Sequence, residues 1–210
     1  MADKYWVNGS GNWNQTTHWS LTSGGSPGAP IPNATDIVHL DANSGIVTIT
    51  ITNGAVCGEL DIVGFSGTLG TSAQALSVYG ALNIDASFFW NYTGTISLLG
   101  AGDYTCNINS GAIINSPIII NGGNTSSYNF NGVINSSKAV TLTSGIITFN
   151  DTIQCSSFVS NTSQSVTAYS IVATGVCTLN NGTINVTIPT PYAIACTTLT
   201  ISNYANFTAN

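Results

Sequence analysis

The chain has 210 residues, of which 43% are hydrophobic and only 5% are charged. That length and apolar content suffice to bury the core of one domain with a small appendage. The net charge of −6, with no Arg and with Lys only at positions 4 and 138, leaves no basic surface for phosphates, which argues against nucleic acid as a partner. No apolar run approaches the roughly 20 residues that span a bilayer, so membrane insertion is not expected.

Residues 1–44 are predicted to form an N-terminal aromatic cap followed by a crossover. The opening MADKYWVNGSGNWNQTTHWS contains Trp6, Trp13 and Trp19, at spacings too irregular for one strand face. This pattern favours a hairpin that turns at NGSGN and folds its indoles over the end of the fold that follows. A subunit contact and a sugar-stacking surface are the alternatives.

From residue 45 onward, short runs alternate between apolar and polar residues. Val47, Ile49 and Ile51 alternate with threonines, and Gly punctuates such runs throughout the chain. This period of two is typical of half-buried strands, and no stretch shows the 3.6-residue period of an amphipathic helix. The sequence therefore predicts an all-β protein.

The apolar runs also recur at a fixed spacing, which is typical of a solenoid. Five pairs lie 22 residues apart: Leu60 and Leu82, Leu76 and Leu98, Ile118 and Val140, Ile120 and Leu142, and Cys155 and Cys177. Residues 45–210 then form a right-handed parallel β-helix of about seven or eight coils. A β-sandwich is the alternative, although it gives no reason for a repeat near 22.

Stacked coils explain the scarcity of charge. In a parallel β-helix each residue lies above its counterpart in the preceding coil, at roughly the 4.8 Å strand spacing. Like charges at that distance repel, whereas Asn and Thr side chains form hydrogen bonds along the stack. We therefore expect inward columns of Leu, Ile, Val and Cys and outward columns of Asn, Ser and Thr.

The five Cys residues are widely spread and form no CxxC pair, which argues against a disulfide framework and against a zinc site. We expect free thiols, with Cys106, Cys155 and Cys177 pointing into the core. Two His residues are too few to suggest a metal centre. The sequence predicts no metal, no cofactor and no catalytic residue.

Two further groups are candidate sites. Glu59 and Asp61 lie at i and i+2 on one strand face and are the best available carboxylate pair for glycoside hydrolysis, although a solvated pair is the simpler interpretation. The run SFFWNYTGT places four aromatics close together. We expect some of them to contact a neighbouring loop, another subunit or a glycan: Phe88, Phe89, Trp90 and Tyr92.

Much of the chain resembles a family of β-solenoid structural proteins of tailed bacteriophages, which occur as tail or minor virion components. The similar segments are YWVNGSGNWNQTTHWS, SGGSPGAPIPNATDIVHLDANS, GFSGTLG, WNYTGTISLLGAGDYT, PIIINGG, VTLTSG and TFNDTIQCSSF. The resemblance implies a non-enzymatic virion protein, either a tail fibre or spike or a decoration subunit, that serves attachment or particle architecture. It transfers no catalytic residue to this chain.

The resemblance and the uncharged surface together imply a homo-oligomer, with a trimer as the expected form. Other virion proteins and a host surface glycan are the further expected partners. MADKYWV lacks the apolar core of a secretory signal, so we expect synthesis in the host cytoplasm and a location in the virion. The alternatives are a secreted bacterial β-solenoid adhesin, which would be extracellular, and a carbohydrate-active depolymerase.

Overall fold

The computed structural model describes residues 1–70, 72–85, 89–109, 111–187 and 194–202, together with the backbone of 206–209. It is all-β, with 50% of residues in strands and 3% in helix, and its parallel sheets form a β-solenoid of about seven turns with about 21 residues per coil. The fold predicted from the sequence is therefore confirmed, and the β-sandwich alternative is wrong. The helical residues form two 3-10 turns, Thr16–His18 and Ala42–Ser44.

Four sheets run along the solenoid, and the first three have the following strands in spatial order. Sheet A contains Leu82–Ile84, Glu59–Ile62, Ile37–Leu40, Asp3–Trp6 and Trp19–Ser20. Sheet B contains Phe89–Trp90, Thr68–Leu69, Thr48–Thr50 and Gly11–Asn12. Sheet C contains Thr198–Ile201, Val176–Leu179, Phe158–Ser160, Val140–Ser144, Ile118–Asn121, Ile96–Leu98, Leu76–Val78 and Ala55–Cys57.

Sheet D is formed by the C-terminal coils, from residue 103 onward. Its main path contains Asp103–Asn107, Ser127–Asn131, Ile146–Cys155, Ser165–Ala173, Thr183–Val186 and Asn206–Ala209. Three short strands pair beside this path: Ile113–Ile114, Ile134–Ser136 and Ile194–Ala195. The long strand Ile146–Cys155 pairs with two separate strands of the preceding coil, Ser127–Asn131 and Ile134–Ser136. It therefore forms two consecutive sides of its own coil.

The 22-residue spacing predicts the strand register in part. Leu60 pairs with Leu82, Ile118 with Val140, and Ile120 with Leu142, as predicted. The other two predicted pairings are wrong, because the turns of those coils are shorter. Leu76 pairs with Ile96, 20 residues on, and Cys177 pairs with Phe158, 19 residues before it.

Inward side chains stack in continuous columns that form one hydrophobic core. One inward column of sheet C is Ala55, Leu76, Ile96, Ile118, Val140, Phe158 and Cys177, and all seven are buried. The predicted inward thiols Cys106, Cys155 and Cys177 are buried and free. Burial raises the pKa of Cys155 to about 11, so this thiol is protonated at neutral pH.

The three tryptophans lie at the N-terminal end of this core. Trp6, Trp13 and Trp19 are fully buried, and the Trp19 ring makes edge contacts at 5.1 Å with Trp6 and at 5.0 Å with Trp13. The indole Nε1 of Trp19 donates to the Trp13 carbonyl at 2.7 Å. His18 stacks on Trp6 at 4.9 Å with an interplanar angle of 4°. The cluster thus fills the end of the coil with aromatic surface.

The N-terminal chain path differs from the predicted hairpin at NGSGN. Asp3–Trp6 pairs antiparallel with Trp19–Ser20, and the intervening Gly11–Asn12 lies in sheet B, parallel to Thr48–Thr50. Gly11 approaches His18 so closely that a Cβ there would lie 2.0 Å from Nε2 of the imidazole. The connection therefore spans two sheets, and its antiparallel strand closes one edge of sheet A.

Residue 45 does not mark a change in strand pairing. Asp3–Trp6 pairs parallel with Ile37–Leu40, which pairs parallel with Glu59–Ile62. The solenoid ladder thus starts within residues 1–44, the segment predicted to be cap and crossover. The reason is that DIVHLD is itself an alternating strand that continues the inward column through Val38 and Leu40, both fully buried.

Truncation of the buried indole at Trp13 should destabilise the fold. We expect Trp13→Ala to lower the free energy of unfolding by about 3–5 kcal/mol, because it removes a buried aromatic and leaves a cavity. Leu21→Ala is the matched control, since Leu21 is 58% exposed and its loss should change stability by less than about 0.5 kcal/mol. Chemical denaturation of both variants measures the difference, and equal stabilities would contradict a structural role for the cluster.

Candidate functional site

A ladder of asparagine side chains runs along the outside of the solenoid. Nδ2 of Asn107 donates to Oδ1 of Asn83 at 3.1 Å, Asn131 donates to Asn107 at 3.0 Å, and Asn150 donates to Asn131 at 2.9 Å. At the N-terminal end, Asn83 donates to Oε1 of Glu59 at 3.0 Å. Five consecutive coils are thus joined by side-chain hydrogen bonds, in addition to their backbone pairing.

The strand period explains why these amides meet. Each lies at an outward position next to an inward apolar residue, such as Ile84 beside Asn83 and Cys106 beside Asn107. Asn83, Asn107 and Asn131 are separated by 24 residues, one coil at a time. This regular spacing is a signal in the sequence from which the ladder can be identified.

An acidic group lies on sheet A at the N-terminal end of the same surface. His39 is hydrogen-bonded through Nε2 to Asp3 at 2.9 Å and through Nδ1 to Asp61 at 3.1 Å. Its ring stacks on Tyr5 at 4.6 Å. His39 and Asp61 are in register and lie 22 residues apart, so the repeat itself contains the signal for this contact.

The predicted carboxylate pair belongs to this group. Glu59 and Asp61 share the outward face of Glu59–Ile62, as expected, but their hydrogen bonds run along the ladders, to Asn83 and to His39 respectively. Desolvation raises the pKa of Glu59, and the neighbouring charge of Asp61 raises it further. A protonatable carboxyl thus lies beside a second carboxylate.

Two adjoining cavities form a groove beside the asparagine ladder, which we call the ladder groove. The first, of about 580 Å³, is lined by Asn83, Asn107, Asn131 and Asp61 together with aliphatic side chains. The second, of about 470 Å³, is lined by Phe89, Trp90 and Ile113, among others. Ile84 and Asp85 line both cavities, so the two adjoin each other. The ladder groove offers amides and carboxylates at one end and apolar surface at the other.

The predicted aromatic cluster divides between this groove and the core. Phe89 is 74% exposed at the mouth of the groove, whereas Tyr92 is fully buried and Trp90 is 8% exposed. Nε1 of Trp90 donates to Oγ of Ser116 at 2.9 Å. Positions 90 and 92 both point inward, so a subunit or glycan contact is wrong for Trp90 and Tyr92. Trp90 instead packs against the neighbouring coil through Ser116, which is another of the contacts expected for this cluster. Phe88 lies outside the described residues.

Other types of site are not found in the part of the chain that the structure describes. Within it, no group of three or more His, Cys, Asp or Glu side chains could hold a metal ion. No described helix has the length and apolarity needed to cross a membrane. Comparisons of the chain with protein-family models, with curated proteins and with solved structures found no match.

The raised pKa of Glu59 predicts a pH-dependent effect of its replacement. The folded state holds this proton more tightly than the unfolded chain, whose Glu has a pKa of ~4.3. The group therefore favours folding below that pH and loses this contribution as the pH rises through its raised folded pKa. Glu59→Gln should consequently raise the melting temperature at neutral pH and leave it unchanged well below pH ~4.

Thermal unfolding across this pH range measures the effect. Asp103→Asn is the control for the loss of one negative charge, since Asp103 is an exposed carboxylate on the same outer surface. Glu59→Gln should stabilise more than the control at neutral pH. Equal effects of the two variants, or an effect of Glu59→Gln that does not change with pH, would contradict the assigned environment of Glu59.

Proposed function

We propose that the chain is a non-enzymatic structural protein of a tailed-phage virion, as a tail fibre, a spike or a decoration subunit. The proposal is supported by the β-solenoid fold, by the family resemblance of the sequence and, above all, by the continuous asparagine ladder. Side-chain hydrogen bonds that join five successive coils resist shear between them and suit a rod that transmits load.

Self-association and particle location belong to the same proposal. The chain works as a homo-oligomer, a trimer by the resemblance, in contact with other virion proteins. Its eight carboxylates and two lysines leave most of the surface uncharged, so copies meet with little electrostatic repulsion. Three copies of the 21.6 kDa chain would give a short rigid unit of the particle.

The composition of the particle tests the proposal. Purified virions of the phage that encodes the chain should contain it in a fixed, stoichiometric copy number by quantitative mass spectrometry. A non-structural phage protein from the same lysate serves as the control for carry-over. Absence of the chain from virions, or presence only at the level of the control, would refute a virion role.

The ladder groove is our proposed contact with a host surface glycan. Amide and carboxylate groups beside an exposed phenyl ring suit a sugar, whose hydroxyls need hydrogen bonds and whose C–H face packs on an aromatic. Neither Lys nor Arg is among the described residues that line the groove, whereas Asp61 and Asp85 are. The chemistry therefore favours a neutral glycan over an acidic one.

Phe89→Ala tests this contact. Phe89 is 74% exposed, so its loss should leave the melting temperature unchanged while neutral-glycan binding to the purified oligomer falls at least tenfold. Ile146→Ala is the control, because Ile146 is also exposed, at 45%, but lies on sheet D away from the groove. Equal binding by the two variants would contradict the proposed contact.

A depolymerase is the second candidate, and the raised pKa of Glu59 beside Asp61 is the observation that favours it. A protonated acid and an ionised partner are the groups that glycoside hydrolysis requires. Release of reducing ends from host polysaccharide by the wild-type chain, lost in Glu59→Gln combined with Asp61→Asn, would establish this activity. Lack of turnover by the wild-type chain supports the structural role.

A further inference from the structure

The outer faces of the sheets differ in chemistry. Sheet A presents Asp3, His39, Glu59 and Asp61, and the outer face of sheet D presents mainly Asn and Thr. The eight strands of sheet C contain no Asp, Glu, Lys, Arg or His, a property shared by the four short strands of sheet B, which cover half as many coils. Sheet C is the longest uncharged surface among the described residues.

The central outward column of sheet C is made of small and β-branched residues. Its members are in register from coil to coil: Val56, Ser77, Ser97, Ile119, Thr141, Val159, Thr178 and Thr200. The next outward column, two residues earlier in each coil, also consists of small side chains: Gly54, Ala75, Thr95, Pro117, Ala139, Ser157, Val176 and Thr198. We call this surface the sheet C face. None of its members is buried, so the fold itself leaves the face accessible.

We propose that the sheet C face is the surface through which a second copy of the chain packs. The inference rests on the self-association proposed above and names the surface that mediates it. It concerns the contact within one pair of copies, in which the same face of each copy is covered.

Charge favours a second copy as the occupant. The acidic residues that give the chain its net charge of −6 all lie outside the sheet C strands, so two copies that meet at this face keep those charges out of the contact. A strongly charged partner would gain no complementary charge from this face. Sheets A and D, by contrast, would bring carboxylates or hydrated amides into the contact, and their desolvation is costly.

The spacing of the columns also favours a copy. The ridges and grooves of the sheet C face repeat at the strand spacing of roughly 4.8 Å, and a second copy presents the same repeat. Two such sheets can therefore pack face to face with their rows interdigitated, as in aligned β-sandwich packing. A partner of another architecture has no such periodic match.

The size of the face suits a specific but concentration-dependent contact. Eight strands at roughly 4.8 Å and the two outward columns, each about 6.6 Å wide, give on the order of 500 Å² per copy. A pair of copies then buries about 1,000 Å² in total, the lower end of the range for specific interfaces. Dissociation on dilution is therefore expected within an accessible concentration range.

Paired charge substitutions test the inference on the full chain. Ser97→Lys with Thr141→Lys places two cations in the central column of sheet C. They lie in the coils directly before and directly after the coil of Ile119. Thr105→Lys with Thr148→Lys is the matched control on the outer face of sheet D, with Asn129 between. Both variants reduce the net negative charge equally, so general repulsion changes in the same way.

Sedimentation velocity over a concentration series gives the readout. We expect the sheet C variant to raise the dissociation constant of the oligomer at least tenfold, and the sheet D variant to leave it within twofold of wild type. An oligomer that resists the sheet C substitutions would overturn the inference and leave the proposed self-association intact. A wild-type chain that is monomeric at every concentration would overturn both the inference and the proposed self-association. The proposed virion role is tested separately, by mass spectrometry of the particle.

Hydroxyl-radical footprinting of the wild-type chain provides a second test that does not depend on the folding of a variant. Side chains of the sheet C face, such as Ile119 and Val159, should be labelled less at high concentration than after dilution. Exposed Ile146 of sheet D should be labelled equally in both samples. Labelling of the sheet C face that does not change with concentration would contradict the inference.

Discussion

Parallel in-register stacking of strands is the constraint on which the rest of this structure depends. Once each residue lies at roughly 4.8 Å from its counterparts in the coils above and below, every outward position must tolerate its neighbours on both sides. Charged side chains tolerate this poorly, whereas amides both donate and accept along the column. The 5% charged composition and the hydrogen bonds from Glu59 through Asn150 are two consequences of the same geometry.

The same constraint separates the chemistry of the molecule by face. Carboxylates are confined largely to the N-terminal coils, where His39 lies between Asp3 and Asp61 and Glu59 is capped by Asn83. Amides continue along sheet D, and sheet C is left with small uncharged residues. In our proposal these faces divide the work of a virion subunit: the ladder groove contacts a glycan, and the sheet C face contacts another copy.

Periodicity is sufficient to predict the architecture but not every register. Ile118 and Ile120 pair with Val140 and Leu142 because that coil has 22 residues. The spacing predicts the wrong partner for Leu76 because its coil is two residues shorter, and a turn can lose residues without any change in the alternating pattern. The alternation of the strand places Trp90 and Tyr92 on the same side, which is the inward one. Four aromatics in one short run suggest an exposed cluster, and this is why the signal is missed in the sequence. The path from sheet A to sheet B and back to the Trp19 strand depends on tertiary packing against His18 and has no signal in the spacing.

The central claim is that outward amides stabilise the solenoid by pairing between coils, and a double-mutant cycle on Asn107 and Asn131 tests it most directly. Their side chains are joined at 3.0 Å, so Asn107→Ala and Asn131→Ala should show a coupling free energy of about 0.5–1.5 kcal/mol in denaturant unfolding. The comparison pair is Asn107 with Asn129, which lies on the same outer face but pairs with Thr105. That pair should be additive within about 0.5 kcal/mol. Additive behaviour of Asn107 and Asn131, indistinguishable from the comparison pair, would contradict the account.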